Sequence, residues 1–358
     1  MQIRRLNFAK FYLFSGPILS EVNLSGKKHT PMREIQFREA IREAMQEEMR
    51  LDERIYLMGE EVAEYNGAYK VSQGMLAEFG AKRVIDTPIS ELGFAGIGVG
   101  SAMVGLKPII EFMTFNFALV GIDQIINNAA KMYQMSGGQF NVPIVFRGPS
   151  GSAGQLAATH SQSFENWFAN TPGLLVVTPS TPADAKGLLK SAIRNPNPVL
   201  VMESEVMYGD KGAVPEQDEF LIPLDKADIK RPGKDVTLLS FGKMVHVALA
   251  ACEELAKEGI DVEMIDLRSL RPIDYDTVIN SVMKTNRCVV LEESWPLAAF
   301  AGELTYMIQK RAFDYMDAPV ARVTAKDTPL PYSSVLVDAW LPDAKEVVQA
   351  VKTVMYKN

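Results

Sequence analysis

Apolar positions recur at two spacings along this chain, and the alternation between the two lays out its architecture. Between Glu34 and Arg50, the residues Phe37, Ile41, Ala44, Met45 and Met49 fall on one face at the 3.6-residue period of a helix. Short apolar runs bounded by turn residues then read as strands over 55–58, 83–86, 108–112, 143–147, 174–178 and 198–202. The stretches 91–105, 117–135 and 183–194 between them read as helices. Strands with no polar face, separated by helices, predict a mostly parallel sheet covered on both sides.

Residues 208–233 break that pattern with Gly209, Gly212, Pro215, Pro223, Pro232 and Gly233 set among charges, which predicts a linker. The alternation then restarts, with strands over 236–241, 262–265, 288–291 and 320–323. Helices follow over 244–258, 274–284, 299–311 and 343–356. The expected organisation is an extension (1–31), a larger α/β unit (32–210), a linker (211–231) and a smaller α/β unit (232–358).

Composition narrows the function classes. The 358 residues are 47% hydrophobic and 23% charged, which suits two soluble globular domains. A net charge of −7 argues against a nucleic-acid or anionic-membrane surface, since both need clustered Lys and Arg. The longest apolar runs are too short and too rich in glycine to span a bilayer. Only Cys252 and Cys288 are present, both in apolar surroundings, so a disulfide framework or four-Cys zinc site is excluded and a reducing compartment expected. Residues 1–31 carry five basic groups and one acid. They read first as an extension of a cytoplasmic protein and second as a mitochondrial transit peptide.

The candidate chemistry lies where strands end. Glu91 follows the 83–86 strand and opens a helix built around Gly93, Gly96, Gly98 and Gly100. An acid there ordinarily stabilises a helix N-terminus, yet the carboxyl edge of an open α/β sheet is also where ligands bind. The glycines do not keep dinucleotide-fingerprint spacing. They make a helix slim enough for close packing against another helix, across a subunit interface in particular. His160 sits at the end of a Gly/Ser-rich loop after the 143–147 strand. A lone histidine is more often a structural hydrogen-bonder, but His29 and His246 lie elsewhere and leave His160 as the one placed for chemistry. It has no nucleophile elbow for a Ser-His-Asp triad and no second histidine for a metal. The aromatic run Phe112, Phe115 and Phe117 is core packing or an apolar wall for a flat ring.

Glu91 with its glycine-rich helix, the run 111–117, Phe146-Arg147-Gly148-Pro149 and His160-Ser161-Gln162 occur in one order. From about Met32 onward the chain resembles the beta subunits of thiamine-diphosphate-dependent 2-oxo acid dehydrogenases. Glu60-Glu61-Val62 and Asn66-Gly67-Ala68-Tyr69 resemble the pyruvate branch more than the branched-chain or acetoin branches. The resemblance implies a transketolase-like fold, a pyrimidine-binding domain followed by a transketolase C-terminal domain. It implies thiamine diphosphate bound through Glu91, Phe117 and Met113, with Glu91 and His160 catalytic. The Gly-Asp-Gly motif for magnesium and diphosphate is missing, so an alpha subunit would supply that half in an α2β2 heterotetramer. Pyruvate and a lipoyl acyltransferase component are the further partners implied. By the same resemblance, groups at Ile144, Ala192, Ile193, Asn195 and Asn197 match a structural potassium site, where Asn195 replaces a common aspartate, and Asp317 lies in an acyltransferase-docking segment. A non-catalytic docking scaffold is the distant alternative.

Overall fold

The computed structural model describes residues 31–217 and 219–357; the basic N-terminal extension and both of its readings lie outside them. The described body runs from Met32 onward as one compact unit. Its first sheet has seven strands in the order β12, β6, β7, β5, β4, β2, β3. They are β2 (Ile55–Gly59), β3 (Val84–Asp86), β4 (Lys107–Glu111), β5 (Val145–Pro149), β6 (Leu175–Val177), β7 (Val199–Glu203) and β12 (Ser269–Arg271). All are parallel except β12, which joins the edge antiparallel to β6. Strands β2, β5 and β7 are buried along their whole length, the mark of a sheet covered on both faces.

The second sheet has the order β14, β13, β10, β11, β9. Its strands are β9 (Asp228–Arg231), β10 (Val236–Ser240), β11 (Val262–Asp266), β13 (Cys288–Leu291) and β14 (Ala321–Val323), with β9 antiparallel to β11 and the rest parallel. The expected architecture of two mainly parallel α/β sheets is thus present.

Four features depart from the sequence reading, the first being that Glu34, Ile35 and Gln36, expected to open the first helix, lie in strand β1 (Met32–Gln36) and the helix begins at Phe37. The expected linker is structured at both ends: β8 (Lys211–Pro215) pairs antiparallel with β1 (Met32–Gln36), and β9 extends the second sheet. Both are short, partly exposed edge strands, which carry little apolar signal. Strand β12 leaves the second half of the chain to join the first sheet. The helix expected over 117–135 is broken into Phe115–Ala118, a π-helical turn Gln124–Ala129, and Met132–Met135. Gly121 is the tight point: a Cβ there would lie 3.0 Å from the Glu91 carbonyl oxygen.

A polar seam joins the two halves. Lys230 on β9 reaches Asp184 in helix Pro182–Arg194 at 2.9 Å, and Ser180 donates to Asp266 at the end of β11 at 2.5 Å. Buried beside Asp184, the Asp266 carboxyl is pushed well above the usual carboxylate range, first by burial and then by its neighbour's charge.

Candidate active site

Strand order locates a crevice. From β2 the chain passes to β3 on one side, and from β4 to β5 on the other, so the sheet reverses direction between β2 and β4. Connections that diverge from adjacent strands leave a gap at their carboxyl ends, where open α/β sheets bind ligands. The two ends approach closely: a Cβ on Gly59 would sit 2.5 Å from the Glu111 carbonyl oxygen.

Glu60 leaves β2 at this gap, and Glu91 enters from the turn after β3. Both carboxylates are buried, at 6% and 5% exposure. Burial, and then the charge and hydrogen bonding of Glu91, push the Glu60 carboxyl up to about 7. Among the described residues its Oε1 is buried without a hydrogen-bond partner, as is the Thr87 hydroxyl in the turn leading to Glu91. A buried acid with one oxygen left open, beside a second acid, suits a ligand that presents a ring N–H or a shared proton. Glu60 enters the sequence reading only within the run Glu60-Glu61-Val62, with no role at the site.

Helix Glu91–Met103 is held by its glycines. A Cβ on Gly98 would meet Ile110 Cδ1 at 2.7 Å, and one on Gly96 would meet the Gln124 side chain at 3.2 Å. The opposite face is bare among the described residues: Ile97 is 62% exposed and nothing lies within 4 Å of a Cβ at Gly100, while Ile89 before the helix and Val104 after it are 85% and 80% exposed.

Met113, half-buried, lies in the turn after β4, and Phe117 follows in helix Phe115–Ala118. The Phe117 ring meets the edge of the His160 imidazole at a centroid distance of 5.0 Å. His160 ends a 3₁₀ turn, Ala158–His160, reached through Gln155 and Ala157 at φ of 53° and 66°. Left-handed backbone at two non-glycine residues is a conformation the surroundings must enforce. Asn116 does part of this: its Oδ1 accepts from the Gln162 N–H at 3.0 Å and from Gln162 Nε2 at 3.2 Å, and its Nδ2 donates to Thr114 Oγ1 at 2.7 Å. Thr159 Oγ1 lies 3.1 Å from His160 Nδ1. The fold therefore brings together His160 and Phe117, and sets Met113, Glu60 and Glu91 around the β2–β4 gap.

Beneath the gap a buried arginine ties three strands. Arg147 on β5 donates to Glu111 on β4, and to Glu203 on β7 with Nε at 2.7 Å; Tyr208 also donates to Glu203 at 2.7 Å. Burial raises the Glu111 carboxyl, since one guanidinium serves two acids. The sequence singled out Phe146-Arg147-Gly148-Pro149 without giving the arginine a task.

The remaining candidates lie elsewhere. Among the positions matched to potassium, the Asn195 N–H donates to Ala192 O at 3.1 Å, and Asn195 Oδ1 accepts from the Asn197 N–H at 2.9 Å. Val199, two residues on, donates to Ile144 O at 2.9 Å, which brings Ile144 to the end of the helix carrying Ala192 and Ile193. The oxygens there are neutral, and the negative end of a helix dipole suits a weakly bound monovalent cation. Asp317 pairs with Arg287 at 2.9 Å on the far side of the second domain, with its side chain 54% exposed. No cluster of three or more His, Cys, Asp or Glu able to hold a metal occurs among the described residues.

The pattern described as transketolase, pyrimidine binding domain, matches residues 33–211, and that of the transketolase C-terminal domain matches 225–347. A pyruvate dehydrogenase E1 component subunit beta from Rhizobium meliloti is 57% identical over 92% of this chain and 71% of its own. The corresponding Rickettsia felis subunit is 52% identical over 90% and 99%, and the mitochondrial Bos taurus subunit 51% over 89% and 90%. This chain belongs to the pyruvate dehydrogenase E1 beta-subunit family. A solved structure described as a split gene transketolase, inactive beta4 tetramer, shares the fold with a TM-score of 0.73, at 22% identity over 90% of this chain and 99% of its own. The β2–β4 gap lies within the segment matched to the pyrimidine binding domain, and the second sheet within the segment matched to the C-terminal domain.

Proposed function

We propose that this chain is the beta half of a pyruvate dehydrogenase that decarboxylates pyruvate and passes the acetyl group to a lipoyl acyltransferase. The observation that carries the reading is the buried Glu60–Glu91 pair at the sheet's switch point, with hydrogen-bonding capacity left open toward the gap. The orphaned Glu60 oxygen and the flat apolar face of Phe117 fit the pyrimidine end of thiamine diphosphate. When bound, that cofactor supplies a nucleophilic carbon that attacks a 2-oxo group and takes up the electrons released by decarboxylation.

The chain's own part is to hold the ring and manage protons. Glu91 would hold the pyrimidine ring through a hydrogen bond to its carboxylate and manage the proton there. Phe117 and Met113 exclude water from the ring, which strengthens that bond. His160, edge-on to Phe117, orients the 2-oxo acid or gives a proton to the lipoyl sulfur. An alpha subunit supplies the magnesium and diphosphate half, and the bare stripe of helix Glu91–Met103 is suited to burial in the α2β2 assembly. The neutral oxygens at Ile144, Ala192, Ile193, Asn195 and Asn197 would hold potassium, and the Asp317 segment would dock the acyltransferase. Among the described residues no helix is long and apolar enough to cross a membrane. We place the protein in the cytoplasm; the mitochondrial matrix is the alternative if residues 1–31 act as a transit peptide.

The test is reconstitution with the alpha subunit, followed by turnover of pyruvate, 2-oxoisovalerate and acetoin side by side. Pyruvate should be preferred, and Glu91→Gln should lower its turnover about a hundredfold or more, as loss of a proton-transfer group does. Near-normal turnover in that variant with cofactor still bound would refute the role given to Glu91.

A further inference from the structure

The second sheet has a switch point of its own. Strand β10 leads to β11 on one side, while β13 lies on its other side and leads away to β14. A crevice therefore opens between the carboxyl ends of β10 and β13. Lys243 stands just beyond the first of these and Glu293 just beyond the second. The first domain fills the opening with Gly151 and Ser152, at the start of the loop that carries His160.

The grip on Ser152 is complete. Its N–H donates to Glu293 Oε1 at 2.5 Å, its carbonyl accepts from Lys243 Nζ at 2.8 Å, and its hydroxyl also meets Lys243 Nζ. Lys243 and Glu293 pair with each other at 2.8 Å, and their side chains are only 10% and 9% exposed. A Cβ on Gly151 would lie 2.5 Å from Glu293 Oε2, so the loop enters at a residue with no side chain and φ of +78°. Next to the grip, a cavity of about 20 Å³ is lined by Ser150, Ser204 and Glu165, and among the described residues the Ser204 hydroxyl has no hydrogen-bond partner. That is room for a single bridging water.

The grip is continuous with the candidate active site. The Gly151 N–H donates to the Gln162 carbonyl at 3.0 Å and closes the loop, and Gln162 is bound in turn by Asn116. His160 lies between these two ties.

We propose that Lys243 and Glu293 of the second domain are positioning residues for His160, acting through Ser152 and the loop closed by Gly151 and Gln162. The proposal rests on the reading of His160 as a reactive group. Removing one partner of a buried, hydrogen-bonded ion pair loosens what it holds and leaves the other charge exposed to the interior.

In the assembled α–β enzyme, Lys243→Met should lower pyruvate turnover about tenfold and speed amide hydrogen exchange across residues 151–162. Lys243→Arg should restore most of both, and Glu293→Gln provides a milder second variant should Lys243→Met fail to assemble. Placed on a His160→Gln background, either variant should cost less than about twofold more, because groups that act through one another are not additive. Equal losses with and without His160, or unchanged exchange across the loop in both variants, would overturn the proposal. If His160→Gln alone kept full turnover, the reading of His160 would fail, while loop exchange would still decide whether the grip holds.

Discussion

At the scale of single residues, Glu91 was legible because its neighbours are unusual: a first-turn acid followed by glycines at 93, 96, 98 and 100. Glu60 was not, because its partner is brought to it only by the pairing of β2 with β3. That pairing has a titratable consequence. Burial, and then the neighbouring Glu91, hold the Glu60 carboxyl near 7, so Glu60 keeps its proton below that pH and gives it up above it. Turnover of the reconstituted enzyme should therefore carry an inflection near neutrality. Glu60→Gln keeps the shape and removes the ionisation, so the profile between about pH 6 and 8 should flatten. An unchanged inflection in that variant would assign it to another group.

At the scale of elements, long periodic helices and fully buried strands were read nearly to their ends, and the failures share a cause. The helix expected over 117–135 breaks because Gly121 must lie against the backbone of Glu91, and because Asp123 takes the side-chain amides of Asn127 and Asn128 at 2.7 and 3.3 Å. Such local bonds compete with regular helix, and a π-turn absorbs the mismatch. Strands β8, β9 and β12 are short and polar, and their partners lie far away in sequence, so no local pattern announces them. The slim helix Glu91–Met103 offers a sharper comparison, because its two faces do different things. Gly98→Ala sets a methyl 2.7 Å from Ile110 Cδ1 and 3.2 Å from Ile144 Cδ1 in a full core, and should cost about 1–3 kcal/mol in denaturant titration. Gly100→Ala meets nothing among the described residues and should stabilise the isolated subunit by about 0.5–1 kcal/mol, as Ala replaces Gly inside a helix. If the bare stripe is an interface, that same change should weaken assembly with the alpha subunit, read by size-exclusion chromatography.

At the scale of the whole molecule, both sheets direct their carboxyl ends to shared ground, and acids accumulate there. Burial pushes Glu165 up to about 7 and raises Asp266 and Glu292 as well. Elsewhere the balance reverses: Arg54 holds Asp52 low, and lysines outweigh burial to hold Glu47 and Glu263 low. These two groups act on stability with opposite sign. A carboxyl raised in the folded state binds its proton more tightly there than in the unfolded chain. Its contribution is complete below the ordinary carboxylate value of about 4.5 and is lost as pH rises through about 7. The lowered carboxyls contribute fully above that ordinary value and lose their effect in acid. The melting temperature should therefore peak near pH 5 and fall steadily toward pH 8. Glu165→Gln fixes the uncharged form at the seam between the domains. It should leave the melting temperature at pH 5 nearly unchanged and raise it by a few degrees at pH 8. A variant that melts in parallel with the parent at every pH would show that Glu165 titrates alike in the folded and unfolded chain, and burial at the seam would then not be what sets its proton affinity.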